Sequence, residues 1–245
     1  MILPEISELY SLFKYLLDKL KVDIIEESSI STRETRQNDT SNYRALTKIE
    51  ELEEYITTYL NKLASKSPLP LSYDSETTSL DTFSCSILGF SLCYEPGKAV
   101  YIPLQQSGEQ DLFSQTDYIT KEQAFKQLER VFNNPDVLII MHNAKFDLKV
   151  LINNGFTAPQ FPKIYDTMIA AWLQNPERLG KNGYSLEYLC ETQVGLKGIE
   201  FSDIVQKGQT FADVPLETAY KYAAEDADFT LQLYQKQISN PDFAN

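Results

Sequence analysis

Histidine is nearly absent: a chain of 245 residues holds one, His142. That scarcity excludes a zinc site built on several histidines. The three cysteines, Cys85, Cys93 and Cys190, match no zinc spacing with it. Any Ser-His-Asp triad would have to draw on His142 itself. The cysteines are odd in number and form no CxxC pair, so a reducing, intracellular setting is the simplest expectation. Long apolar runs are missing as well. Clean runs such as Val137 to Met141 fall far short of a bilayer span, and no membrane partner is expected. The start of the chain carries Glu5 and Glu8 and lacks the basic region of a secretory signal. Bases are outnumbered: Lys plus Arg is 22 against 35 for Asp plus Glu, a net charge of −13. Such a deficit argues against unaided binding of a long nucleic-acid backbone. Any metal must be held mainly by carboxylates, which favours magnesium, manganese or calcium.

What is present is globular in composition, with 42% hydrophobic and 23% charged residues. Leu9, Leu12, Phe13, Leu16, Leu17 and Leu20 recur at helical intervals, predicting a helix over 4–22. Residues 24–45 are rich in Ser, Thr, Glu, Arg and Asn and read as a linker or exposed loop. Residues 1–45 are therefore expected to be a helix and linker remnant of a preceding domain, with the main domain over 46–245. Thr47, with Glu50 three residues on, predicts a capped helix to about Ser65. Strands follow at Leu71–Ser75, 84–93 and 98–103, the last two joined by a Pro96-Gly97 turn. After a polar loop over 105–120, Thr120 and Gln123 form a capping box for a helix over 121–133. Val137–Met141 is a short buried strand. Helices are predicted over 144–154, 166–174, 185–191 and 215–237. Three early strands followed by alternating helices and strands give an α/β fold with a mixed sheet.

Carboxylates dominate the candidate chemistry. Asp74 and Glu76 lie two apart at a strand end, so both side chains point to one face. Two such anions 4 Å apart repel by about 4 kcal/mol at an effective dielectric near 20, and a divalent cation relieves this. Taken alone, the pair is better explained by a solvated strand edge or turn. An EF-hand loop starting at Asp74 fails, because Ser79 stands where glycine is required and Cys85 where glutamate is. In His142-Asn143-Ala144-Lys145-Phe146-Asp147, Asn143 is expected to cap the next helix, with Asp147 in its first turn. Stabilisation of the helix dipole is the plain alternative for Asp147. On the last helix, about 100° per residue aligns Tyr222, Asp226, Phe229 and Leu233 inside a broad apolar face. Glu225 and Asp228 fall opposite with Lys221 and Gln232 and read as solvated. Asp226 on a core-facing stripe must be paired with a base or bound to metal. One site with two divalent cations would satisfy Asp74, Glu76, Asp147 and Asp226 together, an arrangement that suits in-line displacement at phosphorus.

The order DxE, HNxKFD and YxxxD resembles the three-part motif of the DEDD 3′–5′ exonucleases. More narrowly, it is similar to the proofreading domains of bacterial DNA polymerase I. YDSETTSLD, EPGKAVYIPL, HNAKFDLKVL, YDTMIAAWL and YAAEDADFTLQLY carry the likeness across roughly residues 45–238. It implies an RNase H-like mixed sheet flanked by helices, with an N-terminal helical and linker extension. It also implies two cations, Mg2+ or Mn2+, held by Asp74, Glu76, Asp147 and Asp226, with Tyr222 orienting the attacking water. Leu80 matches a residue packed on the terminal base. Thr77 and Asn143 match residues near the terminal nucleotide, and Phe146 and Phe201 complete the expected substrate contacts. The loop 105–120 and the region of Lys181 match the family's strand contacts only loosely. The partners implied are a single-stranded DNA 3′ end and a polymerase domain of the same natural chain, in the bacterial cytoplasm at the nucleoid. The chain is thus expected to be an excised piece. RNA trimming of the ribonuclease D kind, and a catalytically silent scaffold, are the alternatives.

Overall fold

The computed structural model describes residues 35–106, 118–157, 163–177 and 183–240. The helix expected over 4–22, most of the loop over 105–120, and Lys181 lie outside these residues. In chain order the elements are β1 (Arg36–Gln37), β2 (Arg44–Ala45), α1 (Ile49–Ser65), β3 (Leu71–Thr77), β4 (Ile87–Cys93) and β5 (Val100–Pro103). Then come α2 (Lys121–Phe132), β6 (Leu138–Met141), α3 (Ala144–Asn153), β7 (Lys163–Asp166) and α4 (Thr167–Gln174). The chain continues through α5 (Leu186–Leu189), β8 (Leu196–Lys197), α6 (Phe201–Ile204) and α7 (Leu216–Ile238).

Six strands form one sheet in the order β2-β5-β4-β3-β6-β7. Antiparallel β3–β4–β5 ribbons sit at its centre, and β6 and β7 add in parallel beyond β3. The hairpin turns through Gly97 at φ 78°, a backbone state that glycine adopts without steric penalty. Helices α1, α2 and α3 cover one face, burying Leu52, Ile56, Tyr59, Leu128 and Val150 against Leu71, Tyr73 and Phe90. The aromatic Tyr73 stacks on Phe90 at 5.7 Å and meets Phe132 edge-on at 5.7 Å. Helix α7 covers the other face. Its Ala223 and Ala227 are fully buried, and the Ser72 hydroxyl of β3 reaches the Ala227 carbonyl at 2.6 Å. Small residues at this contact let the helix backbone approach the strand that carries Asp74 and Glu76.

Thr120 and Gln123 form the expected box at the start of α2. At α1 the cap shifts by one residue: Glu51, rather than Glu50, accepts from the Thr47 and Lys48 amides at 3.1 Å each. Residues 35–45 depart further from expectation. They are no linker. β1 pairs with β8, and β2 pairs with β5 at the sheet edge. Tyr43 and Leu46 are buried. The polar composition that suggested a loop has buried partners instead. The Tyr43 hydroxyl donates to Asp228 at 2.5 Å, and the Asn38 amide donates to Glu225 at 2.9 Å.

That pairing corrects the reading of Glu225 and Asp228 as solvated: they are 2% and 0% exposed. Asp228 also accepts from the Gly97 amide at 2.9 Å and Gln232 at 3.1 Å, and Glu225 accepts from the Ile199 amide at 2.6 Å. A helical wheel sees only one side of a helix as core. Here β1, β2 and the turn after β8 wrap the second side. Gly198 makes the wrap possible, since a Cβ there would overlap Glu225 and stand 2.8 Å from Phe229. Gly198→Ala should therefore lower stability by about 1–3 kcal/mol, the usual cost of overpacking. Urea denaturation of the two proteins measures it, and an unchanged midpoint would refute this account of the wrap.

Candidate active site

Strand β3 alternates cleanly. Leu71, Tyr73 and Ser75 turn toward α1, α2 and α3, while Ser72, Asp74 and Glu76 turn toward α7. Asp226 projects from α7 onto that same face. One carboxylate oxygen from each of Asp74, Glu76 and Asp226 lies within 4.8 Å of the others. Ion pairs among the described residues engage only Glu95, with Lys62 and Lys98, so none of these three is neutralised by a base.

Asp147 reaches the group from the side. β3 pairs with β6 only at Leu71–Ile139 and Ser72–Ile140, after which β6 leads into α3 and the sheet opens. The Asp147 side chain fills the gap. Its Oδ1 accepts from the Ser75 amide at 3.2 Å and the Ser75 hydroxyl at 2.6 Å. It is 2% exposed and stands outside the three-oxygen convergence, with Oδ1 already committed to Ser75.

Asn143 does not cap α3 with its side chain. It sits in the left-handed region at φ 64°, which asparagine tolerates better than most residues. The cap comes from Asp166, which accepts from the Asn143 amide at 3.2 Å and the Ala144 amide at 2.8 Å. The same carboxylate accepts from Met168 at 2.9 Å and Ile169 at 3.2 Å, so it serves the first turns of both α3 and α4. An aspartate just ahead of a helix is a recognisable cap signal for α4. Its reach to α3 is tertiary and invisible in the sequence.

His142 is a structural residue. Its Nε2 faces the Tyr184 carbonyl at 2.9 Å, which can only accept, and its Nδ1 faces the Thr167 hydroxyl at 2.8 Å. Burial lowers its pKa, so it stays neutral, with both nitrogens engaged and no serine to activate. Tyr222 is 8% exposed and packs edge-on to Phe201 with ring centres 5.9 Å apart. Phe201 is half-exposed and Leu80 is 88% exposed. Thr77, half-buried, donates to the Ser79 carbonyl at 2.8 Å. Phe146 is partly buried and packs on the core beneath α3. Opposite Glu76 on β4 is Gly89, over which the Tyr101 ring lies so closely that a Cβ would overlap it.

Crowding sets the electrostatics. Burial, then the charge of Glu187, pushes Asp74 up to about 7. Burial, then Asp74 and Asp147, holds Glu76 well above the carboxylate range. Burial and Asp74 do the same to Asp147 against the opposing Ser75 bonds. Asp226 is raised by burial and by Asp74 and Glu76. Tyr222 is raised chiefly by Asp226, so its phenol keeps its proton and can only donate there or accept weakly. Anions gathered without a base, each made harder to ionise by the rest, fit a divalent cation as the missing charge.

A protein-family profile described as 3′–5′ exonuclease matches residues 43–238. DNA polymerase I of Borreliella burgdorferi is 36% identical over 199 residues, covering 80% of this chain and 20% of that one. DNA polymerase I of Treponema pallidum is 32% identical over 192 residues, covering 67% and 19%. The chain thus spans about a fifth of the length of these relatives. Among solved structures, Escherichia coli RNase D superposes with a TM-score of 0.57 at 19% identity, covering 81% of this chain and 44% of that one. Brucella melitensis NrnC gives 0.56 at 18% identity, covering 82% and 81%. At that identity the likeness is one of fold, and it agrees with the mixed sheet flanked by helices. No helix of the described residues is long and apolar enough to cross a membrane.

Proposed function

Since this chain belongs to the 3′–5′ exonuclease family found in DNA polymerase I, we propose that it removes nucleotides from the 3′ end of single-stranded or frayed DNA. Each cut would release a nucleoside 5′-monophosphate, as in proofreading. The observation that carries this reading is the convergence of Asp74, Glu76 and Asp226 within 4.8 Å with no base to neutralise them.

Divalent cations, Mg2+ or Mn2+, would bind between these carboxylates, supplying activated water at neutral pH and charge neutralisation at the leaving 3′ oxygen. Asp74 would serve both cations, with Glu76 and Asp226 helping to hold one and the free oxygen of Asp147 helping to hold the other. Tyr222 keeps its phenolic proton and would orient the attacking water by hydrogen bonding rather than remove a proton from it. The exposed Leu80 and the Phe201 ring beside Tyr222 offer apolar surfaces to unstacked bases. A mispaired end melts at less cost than a paired one, which favours its excision. In a natural chain of the relatives' length, a polymerase domain would supply the strand, and the work would be done at the bacterial nucleoid.

The test is cleavage of end-labelled single-stranded DNA and RNA of one sequence with Mg2+ or Mn2+. Stepwise release of deoxynucleoside 5′-monophosphates, faster than release from RNA and abolished by chelator, is expected. Faster trimming of RNA would favour a ribonuclease D-like role, to which the fold likeness alone points. Cleavage that persists in excess chelator would remove the reading altogether.

A further inference from the structure

One acidic side chain near the cluster belongs to none of the three motifs. Glu187 lies on α5, and that short helix is pinned from two sides. Just before it, the Tyr184 carbonyl accepts from His142, the first residue of the second motif, at 2.9 Å. On its inner side, Leu186 and Leu189 are buried with Phe229 and Leu233 of α7, and the Cys190 thiol points to the Phe229 carbonyl at 3.6 Å. Phe229 stands one helical turn beyond Asp226. With Leu186 and Leu189 turned inward, Glu187 is exposed, on a helix held between the second motif and the turn of α7 that follows Asp226.

Its carboxylate makes no hydrogen bond or ion pair with the described residues. Its field nevertheless reaches the cluster: it acts on Asp74, Asp226 and Tyr222 together, behind the larger effects on each. It is not among the three whose oxygens lie within 4.8 Å. An exposed carboxylate on a helix packed beside a cation site, and outside direct contact, has one efficient use. It can accept hydrogen bonds from waters in the cation's shell.

Building on the nuclease reading, we propose that Glu187 is a fifth carboxylate of this site, a positioning residue that holds a divalent cation through its bound water. The water it holds would face solvent, as Glu187 itself does. Glu187 would also repel a phosphate until a cation is in place, so that cation binding favours strand binding.

Calorimetric titration with Mn2+ tests this on the whole chain, using wild type, Glu187→Gln, Glu187→Asp, Asp226→Ala and the nearby control Glu191→Gln. Glu187→Gln should weaken Mn2+ binding about tenfold, the low end of what outer-shell partners contribute. Glu187→Asp should recover most of the loss, and Glu191→Gln should match wild type. In turnover at saturating Mn2+, Glu187→Gln should lower kcat while KM for DNA stays level or falls. If Asp226→Ala loses binding while Glu187→Gln stays within twofold of wild type, the assignment of Glu187 is wrong and the nuclease reading stands. If wild type itself binds no Mn2+, both fall.

Discussion

Replacing Asp226 or Asp74 with alanine should reduce cleavage by on the order of 10³-fold or more, while the cation-free protein becomes harder, not easier, to melt. The two effects share one cause. Asp74, Glu76 and Asp226 crowd within 4.8 Å with no basic partner, and each raises the difficulty of ionising the next. Removing one anion relieves the others, so the folded state gains. The same removal takes away one of the three oxygens proposed to hold the cations. A substitution that lost activity by disturbing the fold would move the melting temperature down. Activity assays paired with scanning calorimetry in EDTA distinguish these cases, and a lower melting temperature for either variant would show that the carboxylate is structural.

The second large effect concerns pH and cations together. Asp74 is raised from its ordinary value to about 7, and Glu76, Asp147 and Asp226 are raised in the same direction. A carboxyl whose pKa is higher folded than unfolded contributes stability that is full below about pH 4. That contribution is lost as pH rises through the folded value. In EDTA, the melting temperature should therefore fall between about pH 4 and 8. His142 works the other way, because its lowered pKa favours the folded state above about 6.5, but it is one group against five, since burial raises Glu225 as well. The exposed Asp39, Asp81 and Glu95 are lowered, so their effects fall below this window. Added Mn2+ should reverse the loss, because ligands must be deprotonated to bind. At a hundredfold excess over Kd the gain is about 2.7 kcal/mol, or roughly 5–10 °C for a domain of this size. The difference between melting temperatures with and without Mn2+ should widen from pH 5 to pH 8. A difference independent of pH would contradict a carboxylate-held cation.

Much of this was legible in the residues themselves. The two-residue spacing of Asp74 and Glu76, the four-residue spacing of Tyr222 and Asp226, and the apolar Val137–Met141 each follow from a local period, and the corresponding elements stand where the periods place them. What escaped is what depends on a second layer. Residues 35–45 looked like a loop because polarity is judged against water, whereas here Asn38 and Tyr43 face Glu225 and Asp228. Asn143 looked like a cap because it precedes a helix, but Asp166, more than twenty residues away, holds those amides. Glu187 had no motif to mark it. Its place follows from a turn pinned at Tyr184 and from leucines packed on α7.

Helix α7 is gripped from behind at the two positions that flank Asp226. Glu225 is tied to Asn38 and Ile199, and Asp228 to Tyr43 and Gly97. Those ties act as a key in a shaft: they fix the angle at which the helix is turned about its own axis. The aim of Asp226 and Tyr222 is thereby set from the opposite side of the helix. Loosening Tyr43 or Asn38 would let the helix roll and spoil the alignment of Asp226 with Asp74 and Glu76 without touching any of the three.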